Sequence, residues 1–181
     1  MSEQYIAEHC APTLAGIKTG NLFSVQNGEG KSLKHEIREL NRRLSEKGLR
    51  VIPVKQTGTH TLVYIYRPDR LEKDLSSAEA VRILEKKGYD VKNASLCLKQ
   101  LISRLSKDDA FPHEIGLFLG YPPSDVEGFM KNPNQGVKCS GVWKAYSNEE
   151  EAKRTFIKYR KCTRDYCSRL AAGSPLMQMV V

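Results

Sequence analysis

The sequence has no long apolar run and no N-terminal segment that resembles a secretory signal. The apolar stretch Ile115–Leu119 is far shorter than the about 20 residues that a membrane-spanning helix needs. The first residues, Met1–Tyr5, contain neither a basic cluster nor an apolar segment of the kind found in signal peptides. We therefore expect a cytoplasmic protein that has no membrane segment.

The cysteines do not follow a disulfide or metal-binding pattern. Cysteine occurs five times, at positions 10, 97, 139, 162 and 167, and no pair has the C-x-x-C spacing. The odd count and the chain length argue against a disulfide framework. His9 and Cys10 are adjacent, and adjacent side chains diverge, which does not favour a preformed zinc site. We therefore predict reduced cysteines and no metal site.

Length and composition are typical of one globular domain. The chain has 181 residues, of which 40% are apolar and 28% are charged, unlike a disordered sequence. We expect a single domain over residues 1–172 and a frayed tail over 173–181. The formal net charge is +8, and residues 131–169 hold ten basic and four acidic side chains. Such a region attracts polyanions or an acidic protein surface, although a solvated helix face also explains it.

Apolar periodicity predicts both strands and helices. The β-rich runs 49–56 and 61–66 predict a hairpin, with Pro53 at a sheet edge or a bulge, and Leu22–Val25 predicts a short strand. Helices are predicted over the rest of the chain. One covers 4–11 and ends before Pro12, a second ends before Gly48, and a third is capped by Asn93. Capping boxes at 76–79, 124–127 and 147–150 begin three more, and the last of these helices follows a strand over 142–146 and runs to about 172. The fold class is therefore α+β: a small sheet containing a β-hairpin, packed by several amphipathic helices.

Two segments resemble nucleotide- or DNA-binding motifs but lack one requirement of each. Gly28–Ser32 follows a strand and precedes a helix, as a phosphate-binding loop does, but Val25 stands where that motif needs its first glycine. We therefore predict no nucleoside triphosphate binding there. The helices over 76–107 are spaced like a DNA-reading pair, but the second is mostly apolar rather than rich in exposed polar side chains. Nucleic acid is thus a less favoured partner.

The segment that contains Cys10 is rich in reactive and turn-forming residues. A cysteine at a helix end near Lys18 or a histidine can act as a nucleophile or a redox thiol when its pKa is lowered. Lys18, Asn21 and Arg67 are candidate ligand-binding residues beside it. The alternative is that Cys10 is a small buried hydrophobic residue.

A second segment of this kind spans Phe111–Pro123. His113 and Glu114 are adjacent and precede an apolar stretch, where their ionisation could be tuned for catalysis. They do not form a zinc motif, because Leu117 occupies the position of the second histidine in H-E-x-x-H. A capped turn that enters the core is the alternative.

These segments also carry a resemblance to a known family. His9–Lys18, Asn21–Phe23, Leu62–Pro68, Phe111–Asn132 and the stretch from Gly141 to Thr163 resemble an uncharacterised bacterial family whose shared domain has no known function. The resemblance covers nearly the whole chain, and the block Phe111–Pro122 is specific. It implies no catalytic residue, cofactor or substrate. It does imply an association with anaerobes and with nearby flavodoxin genes, which makes an acidic redox protein such as a flavodoxin a candidate partner.

Two hypotheses of different classes follow. The first is a small cytosolic thiol- or redox-linked protein whose site joins the Cys10–Asn21 segment to His113 and Glu114. Its candidate catalytic residues are Cys10, His113 and Glu114. The second is a non-catalytic binding module that docks an acidic protein or nucleic acid through its basic C-terminal helix. The sequence identifies no cofactor for either hypothesis.

Overall fold

The computed structural model describes residues 1–27, 33–107 and 111–181. These residues form two compact units: Met1–Pro68 together with Lys161–Val181, and Asp69–Arg160. Helices dominate, and the larger sheet is small and antiparallel, so the predicted α+β class is confirmed. Gly28–Ser32 lie outside the described residues, and the absence of nucleotide binding there stays a prediction. No helix in the described part of the chain is both long enough and apolar enough to cross a membrane.

The described elements are numbered in chain order. They are α1 (Glu3–Leu14), β1 (Gly20–Gln26), α2 (Leu33–Ser45), β2 (Arg50–Gln56), β3 (His60–Tyr66), α3 (Pro68–Leu75), α4 (Ala78–Lys86), α5 (Ala94–Lys107), α6 (Ile115–Phe118), α7 (Pro123–Lys131), β4 (Cys139–Ser140), β5 (Lys144–Ala145), α8 (Glu149–Ala171) and α9 (Leu176–Met179).

The sheet of the first unit contains the predicted hairpin. Strands β2 and β3 pair in antiparallel fashion, and β1 pairs with the other side of β3, so the order is β1-β3-β2. The register shifts between Pro53 and Lys55 on the edge strand β2, which suits proline because it has no amide hydrogen to donate. Tyr64 and Tyr66 lie on the same face, as strand alternation predicts, and their rings stack with centroids 4.7 Å apart.

Helix α1 is longer than predicted. It continues through Pro12 to Leu14, so the expectation that it ends before Pro12 is wrong. Proline interrupts a helix because it removes one hydrogen bond and crowds the preceding turn. Here the last turn is fully packed: Ala11, Thr13 and Leu14 are all completely buried. The carbonyl that loses its donor belongs to Glu8, which is exposed and can be hydrated. Burial of this turn therefore outweighs the cost of the proline.

The C-terminal residues are packed in the first unit, in contrast to the expected frayed tail. Leu176, Met179 and Val180 are buried in the same apolar cluster as α1 and the sheet. The amide of Leu176 donates a 3.0 Å hydrogen bond to Glu3 Oε2. The amphipathic helix α2 covers the cluster with Ile37, Leu40 and Leu44 and ends before Gly48, whose φ of +73° is the left-handed conformation typical of that position.

The predicted helix caps of the second unit agree only in part with the structure. Asn93 accepts a 3.0 Å bond from the amide of Leu96, as predicted. Two boxes lie one residue later than predicted, with Ser77 and Asn148 as the capping side chains. The box at 124–127 is wrong, since α7 begins at Pro123 without a side-chain cap. The strand predicted over 142–146 is reduced to β5, which pairs only with β4.

The close approach of Tyr64 to Gly20 gives a test of packing in the first unit. A Cβ atom at Gly20 would lie 2.6 Å from Cε2 of Tyr64, and this ring is buried and stacked on Tyr66. We expect Gly20→Ala to lower the free energy of unfolding by about 1–3 kcal/mol because the core becomes overpacked. Urea denaturation measures the change.

Gly58 provides the matched control. It lies in the turn of the hairpin, and an added Cβ would meet no atom of the described residues within 4 Å. Gly58→Ala should therefore change the unfolding free energy by no more than about 0.5 kcal/mol. Equal effects of the two substitutions would contradict the packing at Gly20.

Candidate functional site

Cys10 lies in the interior of α1 and not at a helix end. Its side chain is completely buried, and Lys18 beside it is 2% exposed. The Lys18 ammonium group donates a hydrogen bond to the carbonyl oxygen of Gly20. Burial lowers the pKa of Lys18 to about 7, an effect that a charged Cys10 opposes. Burial likewise raises the pKa of the Cys10 thiol, and Lys18 counteracts this only in part.

These shifts act against the chemistry that the sequence suggested for Cys10. A nucleophilic cysteine needs a stabilised thiolate and access to a substrate. In the structure desolvation has a larger effect on the thiol than the neighbouring lysine does. The premise that Cys10 lies at a helix end is wrong because α1 extends to Leu14. Its environment instead fits the alternative of a small buried hydrophobic residue.

Asn21 and Arg67 bind groups of the protein itself at the end of α1. The hydroxyl of Thr13 donates a 2.6 Å hydrogen bond to Asn21 Oδ1. Arg67 donates from Nε to the carbonyl of Thr13 and from Nη2 to that of Leu14, both at 2.8 Å, and it also donates to the carbonyl of Val181. The last carbonyls of a helix have no partner within the helix and carry partial negative charge. Arg67 therefore stabilises the C-terminus of α1.

Glu114 forms a buried ion pair in the second unit. Its carboxylate accepts hydrogen bonds from the hydroxyl of Tyr89 at 3.0 Å and from Arg104 Nη1 at 3.3 Å. The Arg104 guanidinium also lies 4.1 Å above the ring centroid of Tyr89. Burial, followed by the negative charge of Glu114, raises the pKa of Tyr89. Tyr89, Arg104 and Glu114 thus stabilise one another. Glu114, a candidate catalytic residue in the sequence, therefore has a structural role.

His113, unlike Glu114, lines a cavity. The cavity has a volume of about 180 Å³, and its aromatic walls include Tyr121, Phe129 and Trp143. The His113 ring meets the Phe129 ring edge to face with centroids 5.0 Å apart. The structure therefore places the adjacent pair in two different environments. Cys10 belongs to the first unit and His113 to the second.

Asp125 is the most strongly bound carboxylate near this cavity, and sequence reasoning missed it. It is 2% exposed. Its Oδ1 accepts bonds from the amides of Tyr146 and Ser147 and from the Ser147 hydroxyl at 2.8–2.9 Å, and its Oδ2 accepts the indole N–H of Trp143 at 2.8 Å. Burial alone would raise the pKa of Asp125, but these four bonds together lower it. The sequence signal was present only as an acidic residue in a predicted capping box.

The described residues offer no group of three or more side chains arranged to hold a metal ion. Within the first unit the structure brings Cys10 and Lys18 together and links Asn21 and Arg67 through Thr13. Within the second unit it separates His113 from Glu114. The features open to a ligand or partner therefore include the aromatic cavity and exposed surfaces, whereas Cys10 of the predicted thiol segment is buried.

Differences in burial predict the order of cysteine reactivity. Cys10 and Cys97 are buried, whereas Cys139, Cys162 and Cys167 are partly exposed. We expect native-state alkylation at pH 7–9 to label the three partly exposed cysteines at least about tenfold faster than Cys10, because burial disfavours the thiolate. Site-resolved mass spectrometry measures the rates, and the urea-unfolded chain is the control. Faster labelling of Cys10 in the native protein would restore the thiol hypothesis.

The hydrogen bonds to Asp125 predict a pH dependence of stability. Because folding lowers the pKa of this carboxyl, its stabilising contribution is complete above the unfolded pKa of about 3.9 and is lost as the pH falls through the folded pKa. We expect Asp125→Asn to cost about 2–4 kcal/mol at pH 7 and to flatten the loss of stability below about pH 4. Denaturation series at several pH values measure both effects.

Asp165→Asn is the control for loss of one carboxylate. Asp165 is exposed and accepts no hydrogen bond from the described residues. This substitution should change stability at pH 7 by no more than about 0.5 kcal/mol. The role of Asp125 would be contradicted if both variants had the same stability across the pH series.

Comparison with known proteins identifies a family for the chain. No curated protein and no solved structure matches the chain. A family model described as protein of unknown function (DUF3793) matches residues 6–180. The predicted resemblance to an uncharacterised family is thereby confirmed. Since the match covers nearly the whole sequence, the chain belongs to DUF3793, a family of proteins of unknown function.

Proposed function

We propose that the protein is a non-catalytic binding module that docks an acidic protein through the exposed side of α8. This basic face is defined here by Arg154, Ile157, Lys158 and Arg160, all of which are exposed and lie in the second unit. The observation that carries the proposal is that its three cations form no ion pair with any described residue, whereas the neighbouring Lys153 pairs with Glu149 at 2.7 Å.

Arg154, Ile157 and Lys158 are opposite the packed side of the helix, and Arg160 is exposed at the edge of that side. Ala152, Phe156 and Tyr159 are buried, and their spacing of three or four residues places them on one side of α8. The cations and Ile157 are therefore directed to solvent by the packing of the helix and not by chance.

The composition of the basic face favours a protein over a nucleic acid as the partner. Ile157 is 59% exposed among the cations, and an apolar side chain ringed by charges is typical of a protein interface. Nucleic-acid surfaces instead use aromatic side chains for stacking and amides for reading base edges. Tyr159 and Tyr166 on α8 are buried, and three glutamates in its first turn would repel phosphates.

The free cysteines bear on the location of the protein, and the family resemblance bears on its partner. The five cysteines are free, which suits a reducing cytoplasm. An acidic redox protein such as a flavodoxin, which the family resemblance suggests, has the required charge. The thiol- or redox-linked function stays a hypothesis for Cys10, His113 and Glu114, but the burial of Cys10 and the ion pair of Glu114 favour docking over catalysis.

Neutralising two cations of the basic face tests the proposal. Arg154→Gln/Lys158→Gln lowers the formal net charge by two from +8. With a flavodoxin as the probe, we expect affinity to fall by roughly tenfold, because two exposed charge pairs are worth about 1–2 kcal/mol together. Binding of the unmodified protein should weaken steeply with added salt, and the variant should show a shallower salt dependence. Isothermal titration or surface plasmon resonance measures both quantities.

Lys86→Gln/Lys87→Gln is the matched control. Both lysines are exposed at the end of α4, so this variant has the same net charge without altering the basic face. It should bind the acidic protein within about twofold of the unmodified chain. Equal losses in the two variants would show that overall charge alone drives association. Tighter binding to a short DNA duplex than to the acidic protein would support a nucleic-acid partner instead.

A further inference from the structure

The aromatic cavity of the second unit has no role in the docking function proposed above. Its volume of about 180 Å³ is below the roughly 300–1,000 Å³ of pockets that hold drug-sized ligands. A ligand enclosed by it can thus contain little more than a single ring. Its wall residues come from α6 and the segments on either side of it, from α7, and from the start of β5 with the residue before it. The cavity is therefore formed by several elements of the fold and not by one segment.

The cavity walls are held in place by contacts behind them. Trp143 is fixed by its 2.8 Å bond to Asp125 and by an edge-to-face contact with Phe156, whose centroid is 4.6 Å away. Tyr121 stacks against Trp143 with centroids 5.0 Å apart, and its hydroxyl donates to the carbonyl of Val142. Because these rings are already positioned, a flat ligand would bind with little loss of side-chain freedom.

The charges around the cavity select against a cationic ligand. Aromatic walls with a carboxylate can form a cage for ammonium groups, but Asp125 is only 2% exposed, and four hydrogen bonds from the protein offset its charge and occupy both of its oxygens. The ammonium of Lys144 lies 5.8 Å from the Phe129 ring centroid and would repel a second cation. This group bonds Pro133 O at 2.8 Å and Asn134 Oδ1 at 3.3 Å, which leaves one of its three N–H donors for a ligand.

We propose that this cavity binds a small planar aromatic carboxylate, with its ring against the aromatic walls and its carboxylate on Lys144. The ring matches the preformed apolar lining, and the negative charge of the ligand matches Lys144, since the other charged lining residue, Asp125, is compensated by its four hydrogen bonds. A phosphate ester fits less well, since strong phosphate sites use a guanidinium fork or several backbone amides, and the cavity lining contains no arginine. His113, exposed at the cavity, supplies a second polar group beside the ligand.

The protein contains one tryptophan, Trp143, so its fluorescence and its indole N–H resonance report on the cavity directly. Benzoate, benzamide and benzylamine are matched probes with one ring and a negative, neutral or positive group. Benzoate should perturb both signals saturably and bind at least tenfold tighter than benzylamine, with benzamide intermediate. No saturable effect of benzoate, or equal affinities of benzoate and benzylamine, would overturn the proposal.

Substitutions test whether Lys144 contacts the carboxylate of the ligand and Phe129 contacts its ring. Lys144→Met should weaken benzoate binding at least tenfold and leave benzamide binding within twofold, which also shows that the cavity is intact. Lys131→Met, at the exposed end of α7, should change neither. Phe129→Leu should weaken both probes and provides an independent test if the Lys144 variant does not fold. Unchanged benzoate affinity in both cavity variants would contradict the assignment.

The docking variant Arg154→Gln/Lys158→Gln separates the two proposals. It should bind benzoate as the unmodified chain does, because neither residue lines the cavity. Unchanged docking of this variant, together with benzoate binding, would show that only the docking proposal is wrong. Loss of docking in the variant, together with failure of the unmodified chain to bind benzoate, would show that only the cavity proposal is wrong.

Discussion

The second unit depends on one buried carboxylate. Asp125 lies in the first turn of α7, and its four hydrogen bonds fix Trp143, Tyr146 and Ser147, three residues of the segment that precedes α8. This segment has little regular structure, since β4 and β5 contain only two residues each. Replacing water around a buried carboxylate requires several donors at once, and the chain meets this need with two amides, a hydroxyl and an indole. The same four bonds hold the tryptophan that lines the cavity.

Glycines complete the arrangement around that carboxylate. A Cβ atom at Gly141 would lie 2.3 Å from Cδ2 of Phe156, and one at Gly128 would lie 2.6 Å from Cγ of Tyr146. The loop can therefore approach α7 and the first turns of α8 only where side chains are missing. Phe156 then supports Trp143 from behind. Short hydrogen bonds and missing side chains act together to position a loop that has little regular structure.

Periodic patterns made much of the fold predictable. Alternation in 49–66 gave the hairpin, its edge proline and the shared face of Tyr64 and Tyr66, because a strand has only two faces. The final helix was predicted from apolar periodicity and from the capping box at 147–150. Local rules failed where tertiary packing decided the outcome. Pro12 would end an isolated helix, but the burial of Leu14 and its neighbours carries α1 past it. Helices α3 and α6 were missed because each is short and packed by its surroundings.

The candidate site was much less predictable than the fold. His113 and Glu114 are neighbours in sequence, yet one lines a cavity and the other pairs with Arg104. Residue type shows which chemistry a side chain can perform, whereas burial and partners decide whether it performs it. Cys10 has a reactive group, but desolvation keeps that group neutral. The contacts of Asp125 join residues 18 to 22 positions apart, and no local pattern in one sequence reveals such pairs.

Because of Lys18, the folded and unfolded states of the first unit bind different numbers of protons. Its pKa of about 7 in the folded state compares with about 10.4 for an unperturbed lysine. Between these values the folded chain holds its amine mostly neutral, so unfolding takes up a proton at this side chain. Stability from this group consequently rises with pH across that range. The heat measured on unfolding should then vary with the ionisation enthalpy of the buffer that supplies the proton, and a calorimeter can detect this buried amine without any ligand.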